Sequence, residues 1–465
     1  MPPRIHDALR TRSTARIMAG KYRIITYGCQ MNEHDSEIMA ALLRNRGLEE
    51  QAPEENEHDA DVIVFNTCTV RDGAEQRAYG RVMSLKPAKA KNPDMVIAIS
   101  GCAAQDKGQE LLEKFPHVDL IMGTRDYVKV DQLVDEVRRT GDRFVSIEDL
   151  DKPLSLPTLP ARKSGLKAFV NIMFGCNNKC TFCIVPYTRG VEWSRPMAEI
   201  VAECEDLVSR GYKEICLLGQ NVNSYRDDDR HDFADLLHAL NEIEGLWRIR
   251  YTTSNPKSAQ RRHLSAIAEC EKVMESLHLP VQAGNNTVLR NMKRAYNIER
   301  YRMLVDQFRE QNPVCGLTTD IIVGFPGETE EEFQDTLRLV EDMRYDTAFM
   351  FMYSPRQGTP AATLEDQLPM LVKKDRLERL IALQERISAE LNAAEVGRVH
   401  QVLVEGPSRR GNDLKGRTRT DKTVVFSGEE RLVGQLVDVR ITEGHSHTLL
   451  GEVLTREPEA ALAGV

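Results

Sequence analysis

Gly175-Cys176-Asn177-Asn178-Lys179-Cys180-Thr181-Phe182-Cys183 sets three cysteines at the spacing CxxxCxxC. Thiolates this close together hold one metal centre, and the count of three selects among centres. A structural zinc takes four protein ligands in a closed shell, and the nearest histidine downstream is His231. A four-iron cluster is held by cysteine thiolates. Three of them leave one iron open to a substrate or cofactor. Chance spacing is a poor rival, because the chain has only 10 cysteines in 465 residues and three fall in this one loop. Cys176, Cys180 and Cys183 are therefore read as ligands of a catalytic iron–sulfur cluster.

The loop follows a strand pattern, Lys167–Phe174, that heads an alternation of strands and helices. Strands are expected at Glu214–Leu218, Trp247–Thr253, Ser276–Val281, Leu317–Val323 and Thr347–Tyr353, with helices between them and a long last helix, Leu371–Glu395. That makes about six βα units. Eight would close a full barrel, so six imply a partial (β/α)6 TIM-like barrel over residues 162–395. Four loops follow strands: the cysteine loop, Gly219–Asn223, Ala283–Asn286 and Gly324–Glu328. The site belongs at the carboxyl-end mouth.

Upstream, residues 21–138 also alternate. Asp61–Asn66 (DVIVFN) and Met95–Ser100 (MVIAIS) are wholly apolar strands of the buried parallel kind. A helix is expected at Glu37–Arg46, capped by Asp35-Ser36, and another at Gly108–Lys114. This is an open parallel α/β domain. Cys29 follows its first strand, Cys68 the second and Cys102 the third. Ligand sites in such sheets lie at the carboxyl ends of strands, so three cysteines far apart in sequence should converge. Buried structural thiols would account for any one of them. They would not account for the same position after three strands. A second iron–sulfur site is the favoured reading.

Residues 139–161 form a linker marked by Pro153, Pro157 and Pro160, and the acidic run Glu49–Asp61 reads as a solvated loop. Residues 396–457 turn to short β-rich runs (His400–Glu405, Thr423–Phe426, Leu436–Ile441, Thr448–Leu454), a small antiparallel β-barrel. Its segment Arg409–Lys422 carries Arg409, Arg410, Lys415, Arg417, Arg419 and Lys422. That suits contact with a nucleic-acid backbone, and it suits a solvated hairpin as well. Cys204, Cys216, Cys270 and Cys315 fall in regular elements and read as core thiols. His445 and His447 read as solvated turn residues.

Composition limits the rest. Hydrophobic residues are 41%, charged residues 29%, and net charge is -9. These values suit a globular domain protein and exclude one that coats nucleic acid by global charge. No apolar run is long enough to span a bilayer, and no secretory h-region stands at the N-terminus. A cytoplasmic location is expected, without a disulfide framework. Arg4, Arg10, Arg12, Arg16, Lys21 and Arg23 stand against Asp7 alone. We read residues 1–17 as a leader, or Met18 as the start, in preference to an organellar presequence.

Four groups of residues resemble one family. Tyr27-Gly28-Cys29-Gln30-Met31-Asn32, Asn66-Thr67-Cys68-Thr69-Val70-Arg71, Gly175–Cys183 running into Ile184–Gly190, and Gly219–Tyr225 are similar to the methylthiotransferases of the radical S-adenosylmethionine (SAM) superfamily. Tyr353-Ser354-Pro355-Arg356 with Gly358–Ala361 agrees, and the C-terminal barrel resembles a TRAM domain. Gln30-Met31-Asn32 after Cys29 sides with the branch that acts on isopentenylated adenosine in tRNA, against the ribosomal-protein and threonylcarbamoyladenosine branches. The resemblance departs at Ala283 and Asn285, where serines are usual, and at Asn255, where a histidine is.

The resemblance implies two [4Fe-4S] clusters, one on Cys176, Cys180 and Cys183 that cleaves SAM and an auxiliary one on Cys29, Cys68 and Cys102. It implies SAM contacts at Gly219, Gln220, Asn221, Gly324, Gly327 and Glu328, and two SAM per turnover. The substrate would be tRNA isopentenylated at adenosine 37, gripped by the barrel, with a flavodoxin-type reductant and a monomeric enzyme. Adenine carbon 2 carries an unactivated C–H bond, which a carbon radical opens and acid–base chemistry does not. Two alternatives stay open here: methylthiolation of a ribosomal-protein aspartate, and a non-catalytic iron–sulfur RNA-binding protein.

Overall fold

The computed structural model describes residues 20–69, 72–150, 160–162, 165–408, 411 and 413–454. The leader, Met18, Val70, Arg71, Pro153, Pro157, Arg409 and Arg410 lie outside the described residues. The chain forms two compact units. One holds the described residues up to Arg162 together with Tyr187–Arg189, and the other holds the remainder.

The first unit runs β1 (Lys21–Thr26), α1 (Gln30–Asn45), β2 (Glu49–Glu50), β3 (Val62–Thr67), α2 (Asp72–Ser84), α3 (Lys86–Lys91), β4 (Val96–Gly101), α4 (Cys102–Lys114), β5 (Leu120–Met122), α5 (Val130–Thr140) and β6 (Phe144–Ser146). All its strands are parallel, in the order β2-β1-β3-β4-β5-β6. Every residue of β3 and β4 is buried, as their apolar runs require. Ile63, Phe65, Ile97, Ile99, Leu111 and Phe115 pack in one core. Each such side chain contributes roughly 1.5–3 kcal/mol on burial. The strand order reverses between β1 and β3, because the chain leaves β1 for the outer strand β2 before returning. Ligands of open α/β sheets sit at such a switch point, outside the carboxyl ends.

Two expectations fail at the edges of this sheet. Glu49–Glu50, read as part of a solvated loop, is the outermost strand, and Phe144–Ser146, read as linker, closes the opposite edge. Edge strands pair on one side only, so two or three residues suffice and leave little pattern to read.

The second unit begins with β7 (Lys167–Asn171), β8 (Met173–Phe174) and α6 (Val185–Arg189), whose last three residues belong to the first unit. It continues through β9 (Trp193–Ser194), α7 (Met197–Ser209), β10 (Glu214–Leu218), α8 (Phe233–Asn241), β11 (Arg248–Tyr251), α9 (Arg261–Glu269), β12 (Ser276–His278), α10 (Asn286–Asn291), α11 (Ile298–Gln311), β13 (Gly316–Val323), α12 (Glu330–Met343), β14 (Thr347–Met352) and α13 (Met370–Ala393). Parallel sheets β7-β10-β11 and β12-β13-β14 are joined by the bridge Ile249–Val273. Among the described residues no ladder joins β14 to β7, so the six-strand barrel is open, as its repeat count implies.

The same unit ends in a closed five-stranded barrel: β15 (Val399–Pro407), β16 (Leu414–Arg417), β17 (Thr423–Ser427), β18 (Leu436–Gly444) and β19 (Leu449–Val453). Val402, Val404, Val424, Phe426, Val439 and Ile441 fill it. Its pairing is antiparallel except between β17 and β19, which run parallel. The sequence reading misses β16, which lies inside the cationic segment. Leu414 and Gly416 face inward and Lys415 and Arg417 outward, an alternation two periods long. No helix among the described residues is long and apolar enough to cross a membrane.

Candidate metal centres

The cysteine loop leaves β8 through Gly175, at φ 73°, where a Cβ would collide with the Val191 carbonyl oxygen. Cys176 N–H donates to Gly190 O (3.0 Å) and Cys183 N–H to Cys180 O (3.2 Å). The middle of the loop is pinned from two sides. Thr181 N–H donates to Met292 O (3.0 Å) and its Oγ1 to Asn291 O (2.9 Å), while Ala361 N–H donates to Thr181 O (2.9 Å). Phe182 packs against the cluster of Ala283, Val288, Leu289, Met292 and Phe325.

The three thiols are half-buried and feel one another electrostatically. Burial first, then the neighbouring Cys180 and Cys176, push Cys183 up to about 12. Burial also raises Cys176. Nitrogen donors meet two of the sulfurs. Asn178 Nδ2 donates to Cys176 Sγ (3.3 Å), with its own Oδ1 held by Lys257 Nζ (3.2 Å). Arg294 Nη1 donates to Cys180 Sγ (3.1 Å), its Nε held by Tyr296 Oη (3.0 Å). A site that raises its thiols and yet aims N–H donors at them, one of them cationic, is matched to thiolates on a metal, which draws the protons off. The donor set fits a three-cysteine cluster. The sequence reading did not single out Arg294, Asn178 or Lys257. Asn178 and its place between two of the cysteines were in view, whereas Arg294 is brought to the site by the turn after α10.

The residues expected at SAM divide. Gln220 Oε1 and Asn221 Oδ1 are buried oxygens without a protein partner, and Asn221 Nδ2 donates to Ser258 Oγ (3.0 Å). These acceptors fit a ligand that brings N–H groups. Gly219 lies against Met173. Gly324 and Gly327 shape the loop before α12. Glu328 is 4% exposed, and its Oε2 accepts from Gly324 N–H (2.6 Å) and Arg376 Nη1 (2.7 Å). That oxygen is engaged in fastening the loop to α13.

In the first unit Cys29, Cys68 and Cys102 follow β1, β3 and β4, three neighbouring strands in register. Cys29 is exposed and stands at the N-cap of α1, and Cys102 is the first residue of α4. Gly101, at φ 92°, crosses so close to Thr67 O that a side chain there would collide with it. Asn32 Nδ2 donates to Asn66 Oδ1 (2.9 Å) and Thr67 O (3.2 Å), tying α1 to the end of β3. Burial raises the Cys102 thiol, against the opposing pull of Arg189. Arg189 is 6% exposed, pairs with Asp35 (2.7 Å) and meets the Cys102 thiol. A thiol triad with a buried cation beside it fits an anionic cluster. Arg189 stands in the stretch that carried the resemblance but had no role assigned.

The cationic segment of the barrel is largely engaged elsewhere. Arg417 pairs with Asp421 (2.8 Å) and Glu405 (3.2 Å), Arg419 with Glu275 (2.7 Å), and Lys422 with Asp346 and Asn392. Arg248, fully buried, donates to Arg417 O (2.7 Å) and Gln401 O (3.0 Å) and so ties this barrel to β11. Of the four described cations, Lys415 has no carboxylate partner among the described residues. Cys204, Cys216 and Cys270 are buried and Cys315 half-buried, each in or beside a packed element.

Family models define the class. The radical SAM superfamily matches residues 170–340, the TRAM domain residues 393–454, and an uncharacterized protein family, UPF0004, residues 21–123. The chain is 50% identical over 440 residues to a protein of Alkaliphilus oremlandii, covering 93% of each chain. It is 49% identical to one of Thermoanaerobacter pseudethanolicus (93% of this chain, 92% of the relative) and 45% identical to one of Clostridium novyi (97% and 100%). All three relatives are named tRNA-2-methylthio-N(6)-dimethylallyladenosine synthase. The chain belongs to that family of radical SAM proteins. Among solved structures it resembles the radical SAM methyltransferase TsrM of Kitasatospora setae, with TM-score 0.52, 14% identity, and coverage of 74% of this chain and 77% of that one. It also resembles the cobalamin-dependent radical SAM enzyme OxsB, with TM-score 0.51, 12% identity, and coverage of 78% and 56%. These two likenesses concern the fold alone.

Proposed function

We propose that this chain is a tRNA methylthiotransferase. It converts N(6)-isopentenyladenosine at position 37, beside the anticodon, to its 2-methylthio derivative. The whole-length likeness to relatives of that name carries the reading, joined to two thiol triads at the carboxyl ends of two parallel sheets. Neither a ribosomal-protein substrate nor a non-catalytic role has support among these relatives.

Cys176, Cys180 and Cys183 would hold the SAM-binding cluster, and Cys29, Cys68 and Cys102 would hold an auxiliary cluster that would supply sulfur. When bound, cluster and SAM supply a carbon radical able to open the C2–H bond. The chain's own residues prepare the place. Arg294 and Asn178 hold two thiolates by N–H donation, Gln220 and Asn221 offer acceptors to SAM, and Glu328 with Arg376 keeps the Gly324–Gly327 loop in shape. The target base lies in a loop, so little duplex is opened to reach it. Lys415, with Arg409 and Arg410, is the phosphate-contacting part of the barrel. A low-potential flavodoxin-type donor supplies electrons, and the setting is cytoplasmic.

Mass spectrometry of tRNA nucleosides from cells with and without the protein tests this. The 2-methylthio nucleoside should vanish and its isopentenyl precursor accumulate. An unchanged nucleoside profile with a missing methylthio group on a ribosomal protein would overturn it.

A further inference from the structure

The last strand of the open barrel turns two aromatic rings to solvent. On β14, Ala348, Met350 and Met352 pack on the hydrophobic core of the second unit, as one face of a strand beside helices should. Phe349 and Phe351 therefore take the other face, where they are 48% and 39% exposed. A single exposed apolar side chain needs no explanation. Two rings at i and i+2 form a row, about 7 Å apart along the strand. In register, Phe349 lies opposite Asp320 and Phe351 opposite Ile322 of β13. Ile322 and Phe182 of the cysteine loop pack on one cluster with Phe325, so this face runs on into the site. At its other end β14 starts from Asp346, which Lys422 of the C-terminal barrel holds. The row thus stands between the Gly324 loop and that barrel.

Phe349 is held in place. The His278 ring meets it edge-on, with centroids 5.9 Å apart at 76°. His278 Nδ1 lies 2.9 Å from Thr318 Oγ1, and its Nε2 lies 3.6 Å from Asp320 Oδ1. The rings are bordered by hydrogen-bonding groups and a carboxylate. An apolar protein partner would strand those polar groups, and a phosphate would be repelled by the carboxylate. An unpaired base fits both features, with a flat face for a ring and N–H edges for Asp320. Resting on the reading that the substrate is an adenosine of the anticodon loop, we infer that Phe349 and Phe351 form a stacking shelf for two unpaired bases of that loop. Phe351, level with Ile322 and nearer the Gly324 loop, takes the target adenine. Phe349 takes a neighbouring base. The spacing of the rings is about twice the 3.4 Å step of stacked bases, so the two bases are held apart from one another.

The test uses full-length protein with its iron restored and a synthetic anticodon stem-loop carrying the isopentenylated adenine. Phe349→Leu keeps an apolar side chain and removes the ring. It should weaken stem-loop binding about tenfold and raise KM more than it lowers kcat. The slope of affinity against salt should not change, because no phosphate contact is lost. Phe349→Trp should bind at least as tightly as the parent. Phe351→Leu should lower kcat as well, since the target base is then misplaced. Leucine variants that bind within about twofold of the parent overturn the inference and leave the functional reading standing. Equal weakening by leucine and tryptophan would mark a packing role, and a flattened salt slope would mark a phosphate contact; either overturns it. Unchanged stem-loop binding, with activity lost when reduced flavodoxin supplies electrons and kept when dithionite does, gives the face to a protein partner and overturns it too. A parent that binds no isopentenylated stem-loop sinks the functional reading and this inference with it.

Discussion

The two thiol triads are assembled in opposite ways. Cys176, Cys180 and Cys183 come from one loop whose shape is set by its own turns and by three hydrogen bonds at Thr181. Cys29, Cys68 and Cys102 share one sheet edge only when β1, β3 and β4 are paired, with Thr26 beside Asn66 and Thr67 beside Gly101. The local triad is a motif. The distributed triad is a property of a folded sheet, so it should fail with the sheet while the local one persists.

The largest expected effect separates their chemistry. Cys176→Ala should abolish formation of 5'-deoxyadenosine from SAM. Cys68→Ala should keep that activity and lose methylthio product, both read by chromatography of one reaction mixture. Full methylthiolation by Cys68→Ala would remove the second triad from the reaction.

Gly101→Val comes next. A branched side chain at φ 92°, against Thr67 O, forces the ends of β3 and β4 apart. The variant should lose about half of its reconstituted iron, the share of one of two equal clusters. SAM cleavage should stay near the parent rate. Equal loss from both sites would show that the triads are not independent.

Arg294→Met should act within the local triad alone. Loss of a charge-assisted donor to Cys180 Sγ costs roughly 1.5–3 kcal/mol, enough to slow SAM cleavage about tenfold. Redox titration should place that cluster's potential lower than in the parent, since hydrogen bonds to sulfur help to set it. An unchanged potential with weakened SAM binding would give Arg294 to SAM instead.

The smallest effect concerns the metal-free protein. Burial raises Cys183 from its ordinary value of 9.0 to about 12, and raises Cys176 too. A raised thiol contributes stability that is whole below pH 9 and is lost as pH climbs toward 12. Metal-free protein should therefore lose a few degrees of Tm, about 2–4 °C, between pH 8 and 10. Protein loaded with iron should not, because its thiols are already deprotonated.

How much of this was legible follows the same division. The local triad, the open barrel and the cysteines after three strands could be read from spacing and alternation. The start of α1 could not. It was expected at Glu37, and the helix begins at Gln30, with Cys29 and Asn32 forming its capping box. Its first turns bury Asn32, His34 and Asp35, polar residues that break the apolar period; Asn32 meets Cys29 and Asn66, and Asp35 meets Arg189. A functional edge violates the pattern by which helices are recognised, so the misreading itself marks the site. In the C-terminal barrel the charge of Arg417, Arg419 and Lys422 was plain, whereas their partners Glu275 and Asp346 lie far off in sequence. Arg189 was hidden in the same manner, its partner Asp35 being supplied by another stretch of the chain.

Arg248 has a consequence of its own. A barrel on a slack tether samples many positions. This one is fastened to β11 by Arg248 at two carbonyls and by Arg250 at Asp421, and to the residue before β12 by Arg419 at Glu275. These ties hold the barrel against the strands that carry the (β/α)6 sheet. On the proposed function, an RNA held at the small barrel and at the Gly175–Cys183 loop would be measured as by a caliper, and the nucleotide presented would be selected by span before it is selected by chemistry.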